Sequence, residues 1–361
     1  MNNDVDKISK KIKKLVLILL IVVFAFLVII GGITFFMIMP VNSSNTDEVM
    51  FNVESGSSKN QIIVNLKKEG LIKNVNFTKV FVKISYQKDF LAGNYRLSKS
   101  MSLVEILENL SNGTNVDKNE TAITFIEGKR FTDYAEVLAN NLSFAKDDVI
   151  NACKDKEYLN SLIEKYWFIT DDILKDGVYY PLEGYLFPDT YFIKKDATVK
   201  EAIEVLLNGM NNKLKPYKEY IETNKININS LLTLASVIEL EASSESDRKE
   251  ISGVFQNRIK NNMPLGSDVT ACYGVKKNCS DIVNSDLNSC NAYNTRGACT
   301  TGIPIGPICS PSIMSIDAAI NPNTNDYFYF IADVNGKVYY NKTYLEHQKT
   351  NNELISKGLL S

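Results

Sequence analysis

Hydrophobic positions follow three different patterns along the chain. From Leu15 to Met39 the run is unbroken, with Thr34 its only polar side chain. That is longer than the roughly 20 apolar residues a helix needs to cross a bilayer. Lys7, Lys10, Lys11, Lys13 and Lys14 precede the run and Pro40 closes it. These flanks predict a cytoplasmic segment over 1–14, a single transmembrane helix over 15–39, and everything later outside the cell membrane. A cleaved signal peptide is the rival reading. Its apolar stretch would be about 7–15 residues and would end in a small-residue cleavage site, neither of which fits this run.

After a polar linker over 40–48 that contains "VNSSNTDE", the pattern changes to short alternating stretches joined to helical ones. "MFNVESGSSKNQIIVNLKKEG" reads as a strand, a turn at Gly56 and a helix, with Ser58 and Gln61 at capping-box spacing and Gly70 as the stop. "AGNYRLSKSMSLVEILENLSNG" repeats the idea, with Ser102 and Glu105 as the box and Gly113 as the stop. "TAITFIEGKRFTDYAEVLANN" does so again around Gly128. Units of this kind suit a small α+β module over 49–118 followed by a larger α+β region over 119–361. Residues 140–225 read as mostly helical, interrupted by "YYPLEGYLFPDTYFI", which holds six aromatics, two prolines and a glycine. Flat rings interleaved with Pro and Gly suit a sugar-binding groove; an irregular core loop is the plainer reading.

The third pattern is apolar on nearly all sides. Between Ile226 and Leu240, Leu231, Leu234, Ala235 and Ile238 share one helical face, and Leu232, Val237 and Leu240 widen it most of the way round. Such a helix is buried, with Asn229 or Ser230 as its expected cap. It runs straight into Glu239 and Glu241. Two apart, these acids project about 200° from each other on a helix, so they cannot grip one bond between them as a retaining glycosidase pair does. A lone glutamate at the end of a buried helix is poorly solvated, and the resulting rise in pKa suits a general acid. The periodicity alone leaves open whether either acid does chemistry or both are solvated. A second helix follows, opened by Ser244 and Asp247 at capping-box spacing, with Ile251, Val254, Phe255 and Ile259 as its stripe. Arg258 and Asn257 border that stripe, and a guanidinium there calls for a carboxylate partner.

Composition narrows the chemistry further. The chain has 361 residues, 45% hydrophobic, with a formal net charge of -2. That is long enough for two folded units and gives no electrostatic reason to expect nucleic acid. All six cysteines (Cys153, Cys272, Cys279, Cys290, Cys299, Cys309) lie after the apolar run. Their spacing is unlike a zinc knuckle, and with one histidine, His347, no metal site is expected. Disulfides stapling a surface excursion over 272–309 are the natural reading, with several buried free thiols as the alternative.

The blocks "LAGNYRL", "IEGKRFTDYAEVL", "LEGYLFPDTYF", "LASVIELEA", "GVFQNRIKNNMPLGSDVTACYG", "AYNT", "GIPIGPICSPSIMSIDAAINP" and "DYFYFIADVNGKVYYNKTYLEHQ" occur in this order. Together they resemble the MltG/YceG-like family of endolytic murein transglycosylases over most of residues 50 to 350. The resemblance implies a LysM-like wall-binding module over 49–118 and a catalytic domain over 119–361. It also implies a cell-membrane enzyme that cuts nascent peptidoglycan glycan strands between MurNAc and GlcNAc to leave 1,6-anhydroMurNAc ends. The second acid of the family's E-x-E pattern is the catalytic one, here Glu241, and Glu239 becomes a supporting acid. Asn257, Arg258, Ser267, Asp268, Thr270, Tyr273, Tyr293, Asn294 and Thr295 are the candidates around it by position. No metal or organic cofactor is implied; the partners implied are glycan strands and wall-elongation synthases. His347 is expected in a fixed hydrogen-bonding or capping role, since one glutamate serves as acid and base. A non-catalytic wall-binding scaffold and a hydrolytic muramidase are the competing functions. The departures, the cysteine-rich stretch between Tyr273 and Tyr293, Val269 after Asp268, and Ile305, touch loop geometry rather than titratable groups.

Overall fold

The computed structural model describes residues 2–53, 57–86, 88–115, 119–242, 244–296, 300 and 302–360, with side chains from residue 16 onward. It divides into two units, Met1–Lys118 and Asn119–Ser361. The turn expected at Gly56 and the cysteine at 299 lie outside the described residues.

The first unit begins with α1 (Asn2–Ile38). Its stretch Val16–Ile38 has a mean hydropathy of 3.4 and is long and apolar enough to cross a membrane. The helix then meets the rest of its unit directly. Lys73 donates from Nζ to the Phe36 carbonyl at 2.8 Å, its ammonium lies 4.1 Å from the Phe36 ring centre, and Ile38 packs on the unit's core. The segment after it is also held: the Asn42 N–H donates to the Lys99 carbonyl at 3.0 Å.

The remainder of this unit is β1 (Glu48–Val53), α2 (Lys59–Lys68), α3 (Val75–Ser85), β2 (Gly93–Ser98) and α4 (Leu103–Asn112). β1 and β2 pair antiparallel with Phe51 opposite Tyr95. Alternation in β1 buries Phe51 and Val53 and leaves Met50 and Asn52 outside, as a half-covered strand requires. Ser58 and Asn74 cap α2 and α3. Ser102 and Glu105 form a reciprocal box on α4, which stops at Gly113 in the left-handed conformation, φ 66°.

The second unit contains β3 (Glu120–Thr124), α5 (Phe131–Asn141), α6 (Lys146–Ala152), α7 (Lys156–Lys165), β4 (Thr190–Lys194), α8 (Val199–Leu214), α9 (Lys218–Thr223), α10 (Ile228–Glu241), α11 (Glu245–Lys260), α12 (Asp268–Gly274), α13 (Asn284–Leu287), α14 (Ile313–Ile320), β5 (Tyr329–Ala332), β6 (Val338–Asn341) and α15 (Tyr344–Ser356). β3 pairs antiparallel with β4, and β5 with β6. The stretch read as a break between helices therefore ends in a strand. Its β-branched and aromatic run "TYFIK" completes the β3 pairing that no helix could. Leu182, Tyr185, Leu186 and Phe187 from the same stretch are buried in the core, so these residues form core and not an open sugar groove.

α10 lies at the centre, in contact with α11, α12 and α14. Every residue from Ile228 to Ile238 except Ser230 is buried. Its cap is Asn227, whose Oδ1 accepts from the Ser230 N–H at 2.8 Å, and not Asn229 or Ser230. Asn229 is instead turned inward, bonded to the Tyr185 hydroxyl at 3.0 Å and the Ile305 carbonyl at 3.2 Å. The helix starts three residues before Leu231, the first residue of the apolar stripe, because Ile228 joins the core.

Candidate active site

α10 leaves the core at its last turn and stops at Ala242, whose backbone is extended. The two glutamates of that turn enter different surroundings. Glu239 accepts from the Ser312 backbone N–H at 2.9 Å and hydroxyl at 2.5 Å. It also pairs with Arg248 from α11 at 3.2 Å, the two side chains being only 5% and 14% exposed. Burial by itself raises the pKa of such a group. Here the bonds from Ser312 and Ser315 and the Arg248 charge outweigh it, and the net shift is downward. Glu239 is held as a carboxylate.

Glu241 is the opposite case. The residue keeps partial access to water, while burial of its carboxyl group drives the pKa up. One neutral hydroxyl, Ser267 Oγ, donates to its Oε1 at 2.5 Å. That bond pulls the pKa down, Asp268 pushes it up, and Arg258 and Arg296 pull it down, without reversing the effect of burial. Two acids on one helix thus have their pKa values pushed in opposite directions by what each one touches.

Ser267 is itself fixed. Its N–H donates to Thr295 Oγ1 at 3.2 Å, the Thr295 N–H to Thr270 Oγ1 at 3.0 Å, and the Thr270 hydroxyl to the Ser267 carbonyl at 2.6 Å. All three residues are buried. The turn before them uses Gly266 at φ 63°, where an added Cβ would lie 3.0 Å from Arg258 Nη1.

Of the residues expected around Glu241, the structure gathers Ser267, Asp268, Thr270, Thr295 and Arg258. The last of these acts on Glu241 through its charge but makes no ion pair with a carboxylate among the described residues. Its Nε donates to the Phe328 carbonyl at 2.6 Å and its Nη1 to the Leu265 carbonyl at 2.5 Å, and the guanidinium lies over the Tyr329 ring. Main-chain oxygens meet the need that a carboxylate was expected to fill. Asn257 faces another way, donating to Asn325 and to the Tyr327 carbonyl. Asn294 ties its own loop together through the Leu287 and Ser289 carbonyls. Tyr273 and Tyr293 form an aromatic cluster with Tyr179, with ring centres 4.7–5.9 Å apart. His347 neither caps nor hydrogen-bonds through Nδ1, which is buried without a partner among the described residues. It stacks on Tyr329 at 5.5 Å, and burial lowers its pKa.

Three contributors lay outside the sequence expectation. Glu183 is fully buried beneath Tyr273, whose hydroxyl donates to it at 2.9 Å. The Phe131 N–H donates to its other oxygen at 2.8 Å. Arg248 and Arg296 complete the charges at the two acids. The "LEG" acid is flanked by apolar residues on both sides, which is the one sequence signal that pointed to Glu183. In the cysteine-rich stretch, Cys272 of α12 is bonded to Cys279 and Cys290 is also disulfide-bonded. Cys153 and Cys309 are buried thiols. Among the described residues no group of three or more His, Cys, Asp or Glu side chains is placed to hold a metal ion.

Residues 51–353 match the model of a family described as YceG-like. The chain is 35% identical over 333 residues to the endolytic murein transglycosylase of Bacillus subtilis (strain 168), covering 91% of each. It is 31% identical over 338 residues to the protein of the same name from Streptococcus pneumoniae serotype 2 (strain D39), covering 89% of this chain and 61% of that one. A crystal structure of a YceG-like protein from Listeria monocytogenes superposes with a TM-score of 0.60 at 31% identity, over 84% of this chain and 99% of the other.

Proposed function

The chain belongs to the YceG-like family, and from that membership we infer that it acts as an endolytic murein transglycosylase with Glu241 as its single acid and base. It is an enzyme of the lytic transglycosylase class, as its curated relatives are named. The observation that carries the assignment of Glu241 is the opposite setting of the two acids on α10. Glu239 is locked as an anion by Arg248 and Ser312, whereas burial favours the protonated form of Glu241.

In the proposed reaction Glu241 gives its proton to the oxygen that bridges MurNAc to GlcNAc, and the bond from the anomeric carbon to that oxygen breaks. The resulting carboxylate takes the proton of the muramic C6 hydroxyl as O6 closes on the anomeric carbon. No water is consumed, and the acid is returned protonated. The nucleophile is part of the substrate, so neither a second carboxylate nor a placed water is required. Ser267 supplies orientation: a short bond to Oε1 leaves Oε2 as the oxygen that meets the sugar.

The order β1-α2-α3-β2 supports reading residues 49–118 as a LysM-like wall-binding module beside a catalytic domain over 119–361. α1 is compatible with an anchor that leaves both outside the cell membrane. Wall-elongation synthases as neighbours rest on the family resemblance.

The test is cleavage of purified sacculi by the wild-type chain and by Glu241→Gln, with products analysed by mass spectrometry. Anhydro ends, lighter by one water (about 18 Da) than hydrolysed ends, from the wild type alone are expected. Reducing ends would make the enzyme a muramidase, and equal products from the variant would remove Glu241 from the chemistry.

A further inference from the structure

We propose that Arg296 binds a carboxylate of the peptide stem carried by the muramoyl residue at the cleavage point, making it a specificity-determining residue for stem-bearing glycan. The proposal rests on the transglycosylase reading above.

Arg296 is fixed to the immediate surroundings of Glu241 by its chain neighbours. Thr295, directly before it, accepts from the N–H of Ser267, and Ser267 donates to Glu241. Asp268, directly after Ser267, is the ion-pair partner of Arg296. Two guanidinium groups act on Glu241, and only one of them is available to a ligand. Arg258 is the less accessible of the two: its Nε and Nη1 donate to the Phe328, Pro264 and Leu265 carbonyls, and its guanidinium is covered by the Tyr329 ring. Arg296 is 43% exposed and Asp268 54% exposed. Its guanidinium has one hydrogen-bond acceptor among the described residues, Asp268 Oδ1, reached through Nη1. Nε and Nη2 remain, and an arginine fork presents these donors in the geometry that matches a carboxylate.

The chemistry of the substrate says what such a donor meets. The glycan backbone of murein is uncharged, and its anionic groups are the carboxylates of the stem, which begins on the lactyl substituent of the sugar whose anomeric bond is cut. A cation one residue from the contacts of the acid is therefore placed to read the stem rather than the sugars. Asp268 keeps that cation oriented and competes with the incoming carboxylate.

The experiment uses the full chain in detergent with two substrates: glycan strands carrying stems, and the same strands stripped by an amidase. The quantity read is the ratio of kcat/KM on stem-bearing strands to that on bare strands. Both substrates use the same acid, so a change in the protonation of Glu241 divides out of the ratio. Arg296→Gln should lower the ratio about tenfold, the worth of one charge-assisted hydrogen bond. Arg296→Lys should restore part of it through KM, and Asp268→Asn should raise it by removing the negative charge that competes with the incoming carboxylate. A ratio unchanged in Arg296→Gln, with both rates falling together, overturns the proposal while leaving the transglycosylase reading intact. A wild-type chain that cuts neither substrate removes that reading and this inference with it.

Discussion

Replacing Glu183 by Gln should flatten the dependence of the larger unit's stability on pH. Glu183 is 1% exposed, and burial raises its pKa from 4.5 to about 8 against the opposing pull of Tyr273, Phe131 and Arg130. The unfolded chain ionises this carboxyl at its ordinary value. Between that value and about 8 the native protein therefore holds a proton that the unfolded chain has released. The sign follows directly: with the folded pKa raised, its contribution is most favourable below the unfolded pKa and declines as pH rises through the interval. It is constant again above the folded pKa. Each pH unit is worth at most about 1.4 kcal/mol, so the interval of roughly 3.5 pH units has a ceiling near 5 kcal/mol. Gln has no such term. It costs roughly 1–3 kcal/mol at every pH, because its amide group faces one of the two donors. The assay is urea unfolding followed by the fluorescence of Trp167, the only tryptophan of the chain. Trp167 lies in the larger unit and is bonded to Asn211 at 2.9 Å. Wild type and variant are compared from about pH 5 to about pH 8.5 by linear extrapolation. The wild-type curve should fall relative to the variant as pH rises. Two parallel curves would refute the reasoning, since other titrating groups are common to both proteins.

Three further outcomes follow from the site. Ser267→Ala removes a bond that holds the Glu241 pKa down, so the alkaline limb of the pH–rate profile should move to higher pH, with turnover reduced about tenfold or more by lost orientation. Glu239→Gln leaves Arg248 without its buried partner and should destabilise the chain by about 3 kcal/mol in thermal melts, while glycan cleavage remains measurable. Replacing both Cys272 and Cys279 by Ser opens a link between residues seven apart; the loop-entropy argument gives a loss of about 2.5 kcal/mol, detectable as a lower urea midpoint.

Periodic features were legible in the sequence, and contacts between remote segments were not. The 3.6-residue repeat showed that α10 is buried, and the offset of Glu239 from Glu241 showed that they face apart. The capping box at Ser102 follows local spacing in the same way. Arg258 was misjudged because its partners are carbonyl oxygens of residues 265 and 328, and main-chain acceptors have no signature in composition. Glu183 went unseen because the segment around it has no period, and its partners come from α5 and α12, 52 and 90 positions away. Arg296 has no signature of its own, because its partner Asp268 and the acid it acts on come from segments 28 and 55 positions earlier in the chain.

The join between α1 and the small unit has a mechanical consequence. Lys73 clasps the last turn of α1, Ile38 sinks into the neighbouring core, and Asn42 is stitched to Lys99. A helix seated in lipid would therefore carry its first folded neighbour like a post carrying a lamp, with no slack for it to swing outward. On the proposed reading of that neighbour as a wall-binding module, the strands it holds would lie in the stratum nearest the bilayer, and older material farther out would pass beyond its reach.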